Sequence, residues 1–255
     1  MTMRTRVSPW FALMVAVAVL GGVLAAVGTE AAVQGSTAVL TTGVVLLVLG
    51  GWAVSLCLHE FGHAVVAYRG GDTAVRDKGY LTLDIRRYTD VGLSFVLPLF
   101  FLLLGGIPLP GGAVWINHGA IRSKAVLSLM SLAGPLANLA VGVVLTASVA
   151  FVPMPLGLAI GLSCLALIQV LAFVLNILPV PGLDGFGVVE PHLSRETQAF
   201  AARIRPWAPL VLFLLIVGLP GVAQIFFDLA TFVFGLIGGD TVAAGQGYRL
   251  LFFWR

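Results

Sequence analysis

The sequence predicts an all-α polytopic membrane protein with about six transmembrane helices and a re-entrant element that carries short β-strands. Of its 255 residues, 59% are hydrophobic and only 10% are charged, whereas soluble domains carry about 25% charged residues. The mean hydropathy is +1.06, and several apolar runs reach the roughly 20 residues that a helix needs to cross a bilayer. We therefore expect one membrane-embedded domain over residues 1–255. Its net charge of +3 does not indicate a nucleic-acid partner, because the basic residues of a membrane protein lie in loops and set its orientation in the bilayer; no nucleic-acid partner is expected.

Apolar runs mark the six helices in order. The first run, 10–27, follows Arg4 and Arg6 and is longer than the h-region of about 7–15 residues in a cleaved signal peptide, which is the alternative interpretation. The second run contains the motif described below. It covers residues 38–68. The four remaining spans end in a hairpin of two short helices: 125–151, 156–178, 202–219 and 222–237.

The stretch between the second and third spans is predicted to be irregular. Residues 91–107 are apolar but short, and Pro98 lies inside them, so we expect a re-entrant segment. Residues 81–85 alternate apolar and polar side chains as a half-buried strand does, and residues 113–116 form a second candidate strand. Ala113, Val114 and Trp115 would then offer an edge to an extended peptide.

The second helix carries His59-Glu60-Phe61-Gly62-His63 near its far end. Residues four apart on a helix project from one face, so both imidazoles can bind one zinc ion while a water fills an open position. Glu60 lies beside them and can act as a general base. A polar group in an apolar helix costs about 2.5–3.5 kcal/mol by insertion scales, which disfavours a chance arrangement.

A third protein ligand is expected, because catalytic zinc usually has three. The candidate is Asp184, which follows Asn176, Pro179 and Pro181. The prolines end the helix and favour extended backbone before them, so Asp184 would be presented from a loop-like segment. The alternative is that Asp184 caps a helix.

These motifs together resemble the site-2 protease family of intramembrane zinc metalloproteases. The resemblance covers about residues 38–187 and rests on three segments: His59-Glu60-x-x-His63, Gly134-Pro135-x-x-Asn138, and Asn176-x-x-Pro179 with Leu183-Asp184-Gly185. It implies a single zinc ion per chain, held by His59, His63 and Asp184.

The resemblance also implies roles for the remaining residues. Glu60 would be the catalytic acid and base, and Asn176 would orient the substrate or stabilise the oxyanion. Asn138 would contact substrate or, alternatively, tie two helices together by hydrogen bonds. No PDZ domain is expected between the motifs, and no nucleotide-sensing domain after them.

The implied function is regulated intramembrane proteolysis, in which peptide bonds are hydrolysed in or near transmembrane segments of membrane-tethered proteins. The lipid bilayer and a membrane-spanning substrate are the expected partners. One alternative is a metal-ion transporter, which should show ligand sites in symmetry-related halves. Another is a membrane-anchored zinc protease with an aqueous site, which should have a polar domain around the motif.

The expected location is the plasma membrane, with several spans. Arg4 and Arg6 place the N-terminus and the end of the second helix in the cytoplasm. Asp184 can reach the zinc only if residues 91–115 return to the side they entered, because the hydrocarbon core is about 30 Å thick. With the C-terminal hairpin, all 14 lysines and arginines would then be cytoplasmic.

Overall fold

A computed structural model describes residues 7–88, 99–100, 102 and 115–254 of the chain. Ten α-helices have bounds within these residues. In chain order they are α1 (Pro9–Val33), α2 (Ala38–Gly70), α3 (Ala74–Asp77), α4 (Lys124–Phe151), α5 (Leu156–Asn176), α6 (Asp184–Val189), α7 (Arg195–Ile204), α8 (Ala208–Gly218), α9 (Pro220–Leu236) and α10 (Thr241–Leu251).

Four of these helices, α1, α2, α4 and α5, are long and apolar enough to cross a membrane. Three of them match predicted spans to within two residues at each end, and α1 extends six residues past the end of the first predicted span. The described part of the chain is therefore that of an α-helical membrane protein. Six complete spans are not confirmed. In the described residues, α7 and α8 together would give a fifth span bent by 61°, and α9 has only 17 residues.

Helix α1 packs unusually closely on α2 because glycines remove the side chains between them. A β-carbon on Gly43 of α2 would lie 2.2 Å from the backbone nitrogen of Ala25, and one on Gly21 would lie 2.2 Å from the nitrogen of Leu47. Van der Waals contact and small residues are what hold apolar helices together in lipid, where the hydrophobic effect between them is absent. This pair therefore fixes α2 against its neighbour.

The segment just before α4, residues 115–123, contacts the end of α2 and the residues that follow α2. The backbone N–H of Asn117 donates to Oδ2 of the buried Asp72 (2.7 Å). The N–H of Arg122 donates to the carbonyl of Gly70 (3.1 Å), and Nζ of Lys78 donates to the carbonyl of Trp115 (2.9 Å). Residues 115–124 therefore pack against the end of α2 and the turn that follows it. The predicted re-entrant stretch itself, 91–107, falls almost entirely outside the described residues.

The strand prediction for residues 81–85 is wrong. These residues form a turn and a bend that lead into a 3₁₀ turn at Ile85–Arg87, and Leu83 has a φ of 51°. The physical reason is local: Asp84 accepts a hydrogen bond from the backbone N–H of Arg86, which competes with a strand ladder. The guanidinium of Arg86 also pairs with this carboxylate and holds the pKa of Asp84 below its usual range.

The second predicted strand, 113–116, is only partly described. Trp115 and Ile116 belong to no strand, and the side chain of Trp115 is 70% exposed. Ala113 and Val114 lie outside the described residues. The described part of the chain contains no β-strand.

The C-terminal region differs from the predicted hairpin. Residues 202–219 do not form one helix, because α7 ends at Ile204 and α8 begins at Ala208 in a different direction. The chain then ends in α10, a packed helix where the sequence predicted a tail. Asp240 caps α10 by accepting from the N–H groups of Val242 and Ala243, and a β-carbon on Gly247 would lie 2.5 Å from Cβ of Cys164 on α5.

Candidate metal centre

Helix α2 places His59 and His63 side by side on its buried face. The two rings lie edge to face, and their Nε2 atoms are 3.1 Å apart. Both residues are only 6% exposed. The i, i+4 spacing therefore directs two imidazole nitrogens at one position in space, as the sequence predicts.

The opposite nitrogen of each ring is fixed by an oxygen. Nδ1 of His63 donates to the backbone carbonyl of Met130 (2.7 Å), and Nδ1 of His59 donates to Oδ1 of Asn138 (2.5 Å). A carbonyl oxygen can only accept, so the proton of each neutral imidazole lies on Nδ1. Each Nε2 is left with a lone pair, as a metal ligand requires.

Asp184 completes the cluster from the start of α6. Its Oδ2 lies 3.1 Å from Nε2 of His59, and its Oδ1 lies 3.4 Å from Nε2 of His63. A tight turn after α5 delivers it: the N–H of Leu183 donates to the carbonyl of Val180, and Gly182 adopts a φ of +100°. Asp184 is the first residue of α6, whose N-cap is Leu183, and its carboxylate faces the two histidine rings.

The donor set fits a zinc ion. The three ligand atoms lie within 4.8 Å of one another, and all are electron-pair donors that repel one another unless a cation lies between them. Two ligands bound tetrahedrally at about 2.0–2.1 Å are about 3.3–3.4 Å apart, close to the observed 3.1 Å between the Nε2 atoms. Oδ2 of Asp184 is buried and has no hydrogen-bond donor among the described residues.

Gly134 of α4 leaves room for the ion. A β-carbon at this position would lie 2.3 Å from Nε2 of His63 and 2.6 Å from Nε2 of His59. It would therefore occupy the space that faces both nitrogens. Gly134 thus has a steric role at the metal centre that its sequence motif alone did not reveal.

A cavity of about 210 Å³ opens from the cluster. Glu60 lies in its wall beside the two histidines and is 4% exposed. Further out, the guanidinium of Arg205 pairs with the carboxylate of Glu190 at the edge of the cavity. Ile116 belongs to the wall, whereas the neighbouring Trp115 does not.

The two predicted asparagines lie outside this cavity wall. Asn138 sits behind His59 and bonds its ring, so it is placed to orient a ligand. Asn176 is the last residue of α5 and 3% exposed, and its Oδ1 has no hydrogen-bond partner among the described residues. Asp228 lies on an exposed position of α9 and is not part of the cluster.

Sequence reasoning missed Gln169, which lies on α5 behind Asn138. It is fully buried, and its Oε1 accepts from Nδ2 of Asn138 (2.9 Å). The sequence signal for Gln169 was a polar amide within an otherwise apolar span. Such a group is unfavourable in a bilayer, so it usually has a structural or functional role.

Comparison with known proteins agrees with this geometry. The chain is 41% identical over 251 residues to a Mycolicibacterium smegmatis protein named "Putative zinc metalloprotease Rip2", covering 98% of this chain and 95% of that one. A protein of the same name from Mycobacterium tuberculosis is 43% identical over the same coverage. "Putative zinc metalloprotease YwhC" of Bacillus subtilis is 27% identical over 180 residues, covering 64% of this chain and 77% of that one. No family model matches the chain, and no solved structure matches it.

The near full-length similarity to the two Rip2 proteins and the cluster of His59, His63 and Asp184 lead to one conclusion. The chain belongs to the site-2 protease family and is a membrane-embedded zinc metalloprotease.

Proposed function

We propose that the protein hydrolyses peptide bonds in or near the transmembrane segments of membrane-tethered proteins, as part of regulated intramembrane proteolysis. The observation that carries this proposal is the position of the cluster. His59, Glu60 and His63 are buried in a 33-residue apolar helix that is long enough to cross a bilayer. This position supports hydrolysis at membrane depth.

One zinc ion per chain would be held by Nε2 of His59, Nε2 of His63 and the carboxylate of Asp184. Zinc, when bound there, supplies a Lewis acid that polarises a peptide carbonyl and makes a water acidic near neutral pH. The hydrogen bonds from each Nδ1 keep both imidazoles in the tautomer that this role needs.

Glu60 is the proposed general acid and base. It lies in the cavity wall beside the histidines, and its carboxylate would take a proton from the attacking water and pass it to the leaving amine. Asn176 remains a proposed substrate-orienting residue, and Trp115 with Ala113 and Val114 a proposed contact for extended substrate. A helical substrate must unwind before its carbonyl can enter, because its carbonyls are otherwise held in intrahelical bonds.

The proposed location is the plasma membrane, with the metal centre near the cytoplasmic face. Both Arg69, at the end of α2, and the basic residues of 115–124 lie at the same end of the bundle as the metal centre, which supports this orientation. The whole chain 1–255 would act as one protease domain.

The test is substrate trapping followed by cleavage in a defined system. Glu60→Gln protein should retain single-span membrane proteins, which mass spectrometry would identify. Wild-type protein in proteoliposomes should cleave a retained substrate within or beside its span, and Glu60→Gln should not. Cleavage only in water-exposed domains would favour a protease with an aqueous site. Zinc flux across the vesicles without any proteolysis would favour the transporter.

A further inference from the structure

The two zinc-binding histidines are oriented by different kinds of acceptor. Nδ1 of His63 faces the backbone carbonyl of Met130, which can only accept a hydrogen bond. Nδ1 of His59 faces the side-chain amide of Asn138, and an amide carries an acceptor oxygen on one side and a donor NH₂ on the other. A rotation of this amide by 180° would present a donor to His59 and move the ring proton to Nε2, where it blocks metal binding.

Gln169 is placed to prevent that rotation. Its Oε1 accepts from Nδ2 of Asn138 (2.9 Å), and in this pairing Oδ1 of Asn138 faces His59. The three side chains form a line from α5 through α4 to α2, and all three residues are buried to 94% or more. If the side chain of Gln169 were removed, water could not replace its acceptor oxygen as easily at this buried position as at a surface.

We propose that Gln169 is a positioning residue of the metal centre: it holds the Asn138 amide in the orientation that keeps Nε2 of His59 available to zinc. The inference rests on the proposed role of His59 as a zinc ligand. It assigns to Gln169 an effect on metal affinity through two intervening groups.

The order of zinc affinities of two variants, Gln169→Met and Gln169→Glu, distinguishes a positioning role of Gln169 from a role in packing alone. Gln169→Met keeps the size of the side chain but removes the acceptor. It leaves Nδ2 of Asn138 without its acceptor, but it also removes Nε2 of Gln169, a buried donor that has no partner among the described residues. One unpaired buried group replaces another, so stability should change little. Gln169→Glu keeps an acceptor oxygen in either protonation state, although a carboxyl group is costly within a span. Packing alone predicts that Met is tolerated better than Glu; the positioning role predicts the reverse for zinc affinity.

The experiment measures zinc dissociation constants by chelator competition, and visible spectra of the cobalt(II) form, on purified full-length protein in one detergent. Outer-shell changes cost about 10–100-fold in metal affinity, and Gln169→Met should lie near the lower end of that range, with an altered cobalt spectrum. Gln169→Glu should stay within a few-fold of wild type. After Asn138→Leu, Gln169→Met should cost almost nothing more, because both act through His59.

Two controls make the outcome decisive. Thr146→Val removes a buried hydroxyl of α4 that also lacks a partner among the described residues, and it should leave zinc affinity unchanged. His59→Ala should abolish high-affinity binding; if it binds zinc like wild type, the proposed function fails. If His59→Ala loses zinc but Gln169→Met keeps wild-type affinity, or Gln169→Glu is the weaker of the two, Gln169 has no positioning role. Gln169→Leu is a second apolar variant and should weaken zinc binding as Gln169→Met does. A tenfold loss of zinc affinity in Gln169→Glu but not in the apolar variants overturns the inference.

Discussion

Gly134 lies against the ring of His63 so closely that a β-carbon on Gly134 would be 2.3 Å from Nε2. The same β-carbon would be 2.6 Å from Nε2 of His59, so one methyl group would fill the space that both nitrogens face. Gly134 thus contributes to the metal centre without supplying a ligand.

Gly134→Ala should therefore lose zinc and proteolysis together while the protein still folds. The matched control is Gly142→Ala on the same helix, where the nearest atom to an added β-carbon is 3.5 Å away, an ordinary contact. Zinc content and cleavage are measured on both purified variants. Normal zinc binding by Gly134→Ala would show that the ion lies elsewhere.

Asp72 anchors the segment that precedes α4. Its Oδ1 accepts from the N–H of Ala74 and its Oδ2 from the N–H of Asn117, and the residue is 1% exposed. Hydrogen bonds to a charged group contribute about 1.5–3 kcal/mol each, so Asp72→Ala should lower the midpoint of thermal unfolding in detergent by several degrees. Asp77→Ala, an exposed neighbour, should leave it unchanged. Equal midpoints for both variants would refute the anchoring role.

The proposed orientation can be tested with single cysteines and an impermeant maleimide on intact cells. Both native cysteines, Cys57 and Cys164, are buried, which keeps the background low. Asp77→Cys, Gly119→Cys and Glu196→Cys should resist labelling until the membrane is permeabilised, whereas Ser36→Cys between α1 and α2 should react at once. Labelling of Gly119→Cys from outside would contradict a re-entrant path for residues 91–115.

Trp115 offers a test of the proposed substrate contact. Its side chain is 70% exposed and its backbone carbonyl is held by Lys78, so truncation should not disturb the fold. Trp115→Ala should raise KM several-fold with little change in kcat or zinc content. The control is Trp207→Ala, which truncates an exposed tryptophan between α7 and α8 and should leave KM unchanged. Unchanged KM in Trp115→Ala would mean that this side chain does not touch substrate.

The sequence was sufficient for the features that depend on local pattern. Apolar runs located α1, α2, α4 and α5, and the spacing of His59, Glu60 and His63 located the metal helix. The turn at 81–85 was not predictable from the alternation of apolar and polar residues, because the hydrogen bond from the backbone N–H of Arg86 to Asp84 stabilises a turn instead of a strand. Helix α10 was missed because its mixed composition looks like a tail until Gly247 is seen to pack against Cys164.

The network behind the histidines depends on tertiary contacts that no spacing reveals. Asn138 and Gln169 are 31 residues apart on two different helices, and their roles are defined only by which atom faces which. The acceptor for His63 is a backbone carbonyl, that of Met130, which carries no sequence signature at all. Sequence motifs therefore identify metal ligands more readily than the groups that orient them.

The central claim is that His59, His63 and Asp184 hold zinc while Glu60 performs the proton transfer. His59→Ala and His63→Ala should lose both zinc and activity, because two remaining ligands hold the ion poorly. These variants establish the baseline for the two acidic residues, whose roles the claim separates.

The most direct measurement is zinc content, by plasma emission, alongside proteolysis of the same preparations of Glu60→Gln and Asp184→Asn in one detergent. Glu60→Gln should retain about one zinc per chain and show no cleavage. Asp184→Asn presents a neutral, weaker oxygen donor and should lose zinc affinity by about tenfold or more, at least as much as an outer-shell change costs. Full zinc and full activity in Asp184→Asn would contradict the account.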